Sequence, residues 1–431
     1  MSLNLSTLSD FLNGKYDDIP DLRKKVVRIF LSSTFTDTNS ERDYLIENIY
    51  PKLKEYCRIN YDLDFQTVDM RWGIPSDAYE YHGTTELCLK EISNCKSCSI
   101  GPNFVTLIGQ KYGLRPLPTK IYSTEFDLIR SQLDPDENLI ILFSPEPGFE
   151  YKIDNLLTEC YRIDTNPIPS VNRLLPISKI IPNYSSHDPK LQEHSRIFWD
   201  KIQKKLSWIL RKGADRAFEK NLIEKVKRDR YFVSITEKEI FEGILSVENP
   251  NSNALCFIRN IENIEENLID STIPRFMDVV KKDGQIQVDK DAQKLLEILK
   301  NDKISSKLSD KNICKFNVKW KNNKIENLNS YLEEFGKSFY EQIVRLIDEA
   351  IVESKITELN LKQVYLKLGF IKSIDVDMNK IDDQAKSLIS EFKNFVTEIS
   401  HHAIEYNEIT GKFFGRDHLT VKVNTFLLHF S

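Results

Sequence analysis

The sequence predicts an α/β protein built on an open, doubly wound parallel sheet. Short apolar, β-branched runs alternate with amphipathic helical stretches, and strands joined in that way pair in parallel through right-handed crossovers. The early runs are apolar throughout, as strands covered on both faces are. With 431 residues, the chain has room for two or three domains.

The first strand is read at Val26-Val27-Arg28-Ile29-Phe30-Leu31, ending in Ser32-Ser33-Thr34. A helix follows over SERDYLIENIYPKLKEY, where Leu45, Ile49 and Leu53 recur every fourth residue. Ser40 can cap its start, and Pro51 should bend or interrupt it. Phe65 to Met70 is the second strand and runs into Arg71-Trp72-Gly73; TTELCLKEIS is the next helix. Phe104 to Ile108 is the third strand, and Ser123 to Leu133 is helical. Leu139 to Phe143 reads as the fourth strand and Val171 to Ile177 as a fifth.

The middle of the chain has a different texture. Residues 190–212 are helical, with Ile197, Phe198, Ile202, Leu206, Ile209 and Leu210 on one side. Thr236 and Glu239 can form a capping box ahead of Ile240 and Ile244. Ala254 to Ile258 is an apolar strand. Cys314, Phe316, Val318 and Trp320 alternate with polar residues, as a half-exposed strand does. Leu328 to Ile351 is a long amphipathic helix. These later strands join the first sheet or make a second; pattern alone does not decide. Residues 381–406 and 419–430 read as helices of a charged C-terminal stretch, on either side of a turn at 411–417.

Formal charge is −5 and the cysteine count is seven. An odd, loosely spaced set of thiols reads as reduced cysteines in the cytoplasm. No run approaches the ~18 apolar residues of a membrane helix, and the N-terminus lacks the pattern of a signal peptide. Basic stretches at Lys201–Lys212 and Lys220–Arg230 read as solvated helix faces, so nucleic acid is not the expected partner. Cys95-Lys96-Ser97-Cys98 has no second ligand pair, so no metal site is expected. The phosphate loop GxxxxGK[ST] and the motifs GxSxG, HExxH and GxGxxG do not occur.

In an open parallel sheet, ligands bind beyond the carboxyl ends of the strands at the switch point. That rule selects Ser32, Ser33 and Thr34 from the first strand, and Asp69, Arg71 and Trp72 from the second. From the third it selects Gly109, Lys111 and Tyr112, then Glu125 on the following helix. Hydroxyls, an arginine, an aromatic face and a carboxylate together suit a nucleotide-like ligand. The structural alternative is an Arg71–Glu125 ion pair with Trp72 simply packed.

VRIFLSSTFTDTNSERDYLIENIYPKLKEYC, VDMRWGI, TTELCLKEI, GPNFVTLIGQKYGLRPLP, SITEKEIFEGIL, ALCFIRNIE and FFGRDHLTVKVNTFL occur in that order. In these blocks the chain resembles the N-terminal region of NACHT and WD-repeat domain-containing proteins, which begins with a TIR-like domain. The resemblance implies a flavodoxin-like TIR domain at 24–185 after a polar leader at 1–23. A mixed α/β extension at 186–352, able to complete the first sheet, and a helical connector at 353–431 would follow. In that family an ATP-binding NACHT module and WD-repeat propellers come next. A fragment or a shortened relative is therefore expected. The implied role is a regulatory or protein-interaction region of a signalling protein, able to self-associate. TIR-like enzymes that cleave NAD set a glutamate on the helix after the third strand, which implies Glu125 as catalytic carboxylate and NAD or another nucleotide as ligand. On that alternative, Ser33 and Arg71 would hold phosphate or ribose and Trp72 would stack on a base.

Overall fold

The computed structural model describes residues 26–367 apart from 73–75, 144–149, 182 and 283–284. One compact unit spans Lys24–Ala350; the other, 1–23 with 351–431, is described only over 351–367, the end of a helix. The expected leader, the helices at 381–406 and 419–430 and the turn at 411–417 lie outside the described residues.

Five strands form the central sheet: β1 Val26–Ser33, β2 Asp64–Val68, β3 Phe104–Ile108, β4 Ala254–Ile261 and β5 Ile313–Val318. Their spatial order is β5-β4-β3-β1-β2, and every neighbouring pair is parallel. This is the flavodoxin-like order, with its switch point between β1 and β3. All five residues of β3 are buried, whereas the edge strands β2 and β5 alternate between buried and open positions. The half-exposed pattern read around Phe316 and Val318 is therefore that of an edge strand, and the later strands do complete the first sheet.

Helix α1 (39–61) and the part of helix α7 (Leu328–Lys367) up to Ala350 cover one face of the sheet. There Phe257 of β4 stacks on Phe339 at 5.2 Å and meets Phe335 edge-on at 5.7 Å. The two helices approach closely at Gly336, where a Cβ would lie 2.4 Å from the Tyr44 ring. Pro51 does not break α1. The five residues Leu45–Ile49 just ahead of it form a wider π turn, which accommodates the missing N–H and the bulk of the proline ring. Ser40 makes no cap; Thr38 holds the N-cap position, and its hydroxyl bonds Ser33 instead.

On the other face lie α2 (Thr84–Cys98), α5 (235–245) and α6 (290–304). Ile92, Ile244 and Leu296 pack there against Phe30, Phe104 and Cys256. The α5 cap is Ser234, whose Oγ accepts from the Glu237 N–H at 3.1 Å, not the expected Thr236–Glu239 box. Glu239 is turned into the core instead.

Residues 114–234 form an insertion between β3 and α5 with a core of their own. It contains α3 (Ser123–Arg130) and α4 (Pro189–Glu219), and among its described residues the strands pair only antiparallel. The expected fourth and fifth strands fall here. Ile140–Phe143 pairs antiparallel with Glu150–Ile153, and Val171–Leu174 lies between Lys120–Tyr122 and Tyr161–Asp164. The physical reason shows in the burial: Leu142 is buried but Ile141 is exposed, so this is a one-sided hairpin and not a strand covered on both faces. In α4, Ile202, Leu206, Ile209 and Leu210 are buried as read, while Ile197 faces solvent and Trp199 takes its place in the core.

Candidate functional site

The carboxyl ends of the strands converge as the switch-point rule requires. What they bring together is a buried polar network. Ser32 ends β1 on the α5 side, and its Oγ donates to Glu239 Oε2 at 2.6 Å. Burial pushes the Glu239 carboxyl up to about 7 despite that bond, the Cys88 thiol and the Arg42 charge. Ser33, one residue on, points to the opposite face as strand alternation dictates, where its Oγ meets Thr38 Oγ1 at 2.7 Å. Thr34 Oγ1 donates to Asp37 Oδ1.

Two buried arginines organise the α1 side. Arg42 donates from Nη1 to Asp69 Oδ1 at 2.7 Å and from Nη2 to the Ser33 carbonyl at 3.4 Å. Burial lowers its pKa, with Asp69 opposing. Arg259 of β4 donates from Nη1 to Glu41 Oε1 at 2.6 Å and to the Asp37 carbonyl at 2.7 Å. Tyr331 of α7 donates to the same Glu41 oxygen at 2.9 Å. Arg259 Nη2 stands 3.9 Å from Asp37 Oδ2, an oxygen that no donor reaches among the described residues. Burial accordingly raises the Asp37 carboxyl to about 6, with Arg259 and Thr34 opposing. Gly109 is required by this packing: a Cβ there would lie 2.2 Å from Asp37 Oδ2 and 2.6 Å from Arg259 Nη2. The void beside Glu41, Arg259 and Tyr331 measures about 10 Å³, the room of a single water at most.

The remaining expected residues scatter around this network. The Arg71 N–H donates to Asp69 Oδ1 at 2.9 Å, while its guanidinium turns to Asp43 at 2.9 Å and Asn39 at 3.4 Å. Trp72 closes the turn Met70–Trp72, and its side chain lies outside the described residues. Lys111 Nζ caps the carbonyl of Pro274 at 2.7 Å and reaches Thr36 Oγ1 at 3.0 Å. Tyr112 is buried; its hydroxyl bonds Glu237, and its N–H donates to Asp278 at 2.6 Å.

Glu125 belongs to the other core. It sits on α3 in the insertion and accepts from Tyr231 Oη at 2.6 Å and Arg230 Nη2 at 3.1 Å. The envisaged Arg71–Glu125 pair gives way to these separate partners. The helix that leads from β3 to β4 within the sheet is α5, which carries Glu237 and Glu239.

Asp37, Glu41, Arg42, Arg259 and Tyr331 escaped the sequence reading. One signal was present: Glu41 and Arg42 stand four and three residues before Leu45, on the same buried helix face. Arg259 likewise shares a strand face with Phe257 and Ile261. Among the described residues, no group of three or more His, Cys, Asp or Glu side chains is placed to hold a metal. All seven cysteines are free, and burial pushes the Cys95 thiol up to about 12, far from a reactive thiolate. No helix among the described residues is long and apolar enough to cross a membrane.

Known proteins share this sequence in part. A domain of unknown function, DUF4062, matches residues 28–136, which covers β1 to β3 and the start of the insertion. Human NACHT and WD repeat domain-containing protein 2 is 30% identical over 344 residues, 77% of this chain and 19% of that protein. Mouse NACHT domain- and WD repeat-containing protein 1 is 28% identical over 323 residues, 75% of this chain and 18% of that protein. Rat telomerase protein component 1 is 32% identical over 90 residues, 21% of this chain and 3% of that protein. No solved structure matches. The chain spans about a fifth of the length of its NACHT and WD-repeat relatives. It is thus a homologue of the NACHT and WD repeat domain-containing proteins over about three quarters of its own length, and it carries a DUF4062 domain near its start.

Proposed function

We propose that this chain is the N-terminal regulatory and protein-interaction region of a cytoplasmic signalling protein of the NACHT and WD-repeat type, with a TIR-like fold at its core. The observation that carries the reading is the closure of the strand ends. Ser32, Ser33, Thr34, Asp69 and Tyr112 bond to partners within the protein. A nucleotide would have to break several buried hydrogen bonds to use them, each costing on the order of 1–3 kcal/mol when a group is left unpaired. The side of the fold open to partners is then its helical exterior. The collinear match to relatives that join this segment to NACHT and WD-repeat parts supports a regulatory position within a longer machine.

The test sets turnover against association. The purified chain is incubated with NAD and nicotinamide is followed; separately, the immobilised chain is offered candidate partner proteins. Absence of nicotinamide above buffer and saturable retention of a partner, unchanged by Ser33→Ala, is expected. Nicotinamide release abolished by Glu125→Ala or by Glu239→Gln would replace the interaction reading with an NAD-cleaving enzyme.

A further inference from the structure

Charge is unevenly spread over this protein. Residues 189–230 hold 13 Lys or Arg against 6 Asp or Glu, in a chain whose overall balance is −5. The loop that follows β4, residues 262–270, is the reverse: it carries Glu262, Glu265, Glu266 and Asp270 and no basic residue.

Each surface also presents an apolar side chain to solvent. On α4, Ile197, Lys201, Lys205 and Trp208 follow one another at helical spacing. Trp208 is 44% exposed, with the ammonium groups of Lys205 and Lys212 at 4.5 and 4.6 Å from its ring centroid. Lys204 is neutralised by Asp200 and Lys212 by Glu137, whereas Lys201 and Lys205 meet no carboxylate among the described residues. On the loop, Ile269 is fully exposed. That exposure is not slack. Asp270 accepts from the Thr272 N–H at 2.8 Å and from Trp320 Nε1 at 3.1 Å, and Asn267 Nδ2 donates to the Asn263 carbonyl at 2.8 Å. The loop is a pinned, acidic knob with an aliphatic tip. Glu265 is held by Gln293 at 2.7 Å and Glu262 stands 3.9 Å from Lys319; Glu266 has no partner among the described residues.

We infer that the chain associates head to tail with a second copy of itself, the 262–270 knob of one copy seated on the Lys201–Lys205–Trp208 face of α4 in the next. The inference rests on the interaction reading above and names its partner and surfaces. Opposite charge steers the encounter and sets the register, while Ile269 against Trp208 and Ile197 supplies apolar burial at the centre. The two surfaces differ, so the contact is heterologous: it extends into a ring or an open chain rather than closing as a twofold dimer. It weakens as salt screens the charges.

The experiment is light scattering with sedimentation velocity on the full chain, at low and high ionic strength. Three samples are compared with wild type: Lys201→Glu with Lys205→Glu, Glu265→Lys with Glu266→Lys, and an equimolar mixture of these two double variants. The wild type is expected to gain mass with concentration at low salt and to return to monomer at high salt. Each double variant alone should stay monomeric, because like charges face each other. The mixture should associate again, since each reversed surface meets a complementary one; that recovery also shows that neither variant is merely misfolded. A wild type that stays monomeric, unchanged association in either double variant, or no recovery in the mixture overturns the proposal. So does a monomeric wild type that binds an oligonucleotide or phosphatidylserine vesicles through Lys201 and Lys205. A monomeric chain that still retains a partner protein overturns this contact and leaves the interaction reading intact.

Discussion

Glu239 shows most clearly how a polar residue is used here. It is wholly buried, it accepts from Ser32, and its carboxyl ionises near 7 against an ordinary value of 4.5. The folded state therefore holds this proton more tightly than the unfolded chain does. Stability from this group is greatest below about 4.5 and falls as the pH rises through about 7, a change on the order of 3 kcal/mol for a shift of this size. Asp37, raised to about 6, pulls in the same direction. Glu239→Gln keeps an acceptor for Ser32 and removes the charge. The variant should match the wild type at pH 5 in urea unfolding and exceed it by roughly 1–3 kcal/mol at pH 8. A variant less stable at pH 8 would show that the ionised carboxylate is itself stabilising. None of this was visible in the residue's sequence context, where Glu239 looked like half of a capping box. A glutamate three residues after Thr236 fits that motif equally well; only the placement of Ser32 across the sheet selects the other role.

At the scale of elements, what the sequence discloses follows burial. β1 and β3 are read correctly because a strand covered on both faces is a mostly apolar run: every residue of β3 is buried, and in β1 all but Val26 and Arg28 are. β4 and β5 are recognisable as strands, but pairing is non-local: Thr106 of β3 lies beside Cys256, 150 residues away. No pattern within a strand names so distant a neighbour, and the nearer Ile140–Phe143 was an equally apolar claimant. Close approach of helix to strand is likewise hidden from the sequence. Gly243 sits in the π turn of α5, where a Cβ would fall 2.3 Å from the Phe104 ring in the middle of the core. Gly243→Ala gains helix propensity but forces α5 off β3. Overpacking of this kind should cost about 1–3 kcal/mol, read as a lowered urea midpoint with an unchanged slope. Tolerance of the alanine would mean that α5 and β3 are less closely packed than they are here.

Over the whole molecule, an insertion with its own core interrupts the chain between β3 and β4, which nevertheless lie side by side in the sheet. This placement explains why Glu125 takes its partners, Tyr231 and Arg230, from the insertion: the helix next in sequence after β3 is not the next helix in the sheet. The fold class was legible from alternation alone. The list of site residues was legible only as strand-end positions, because a side chain's partner depends on elements such as α5 and α7 that return from far along the chain. The homologous relatives, of which this chain spans about a fifth, place the same segment in much longer proteins.

The closure of the strand ends is tested most directly by titration calorimetry of the purified chain with NAD and with ADP-ribose. No saturable heat is expected from either, with Ser33→Ala and Arg42→Ala equally silent. Saturable binding to the wild type that is lost in Ser33→Ala would contradict closure and show that the buried network opens to admit a nucleotide.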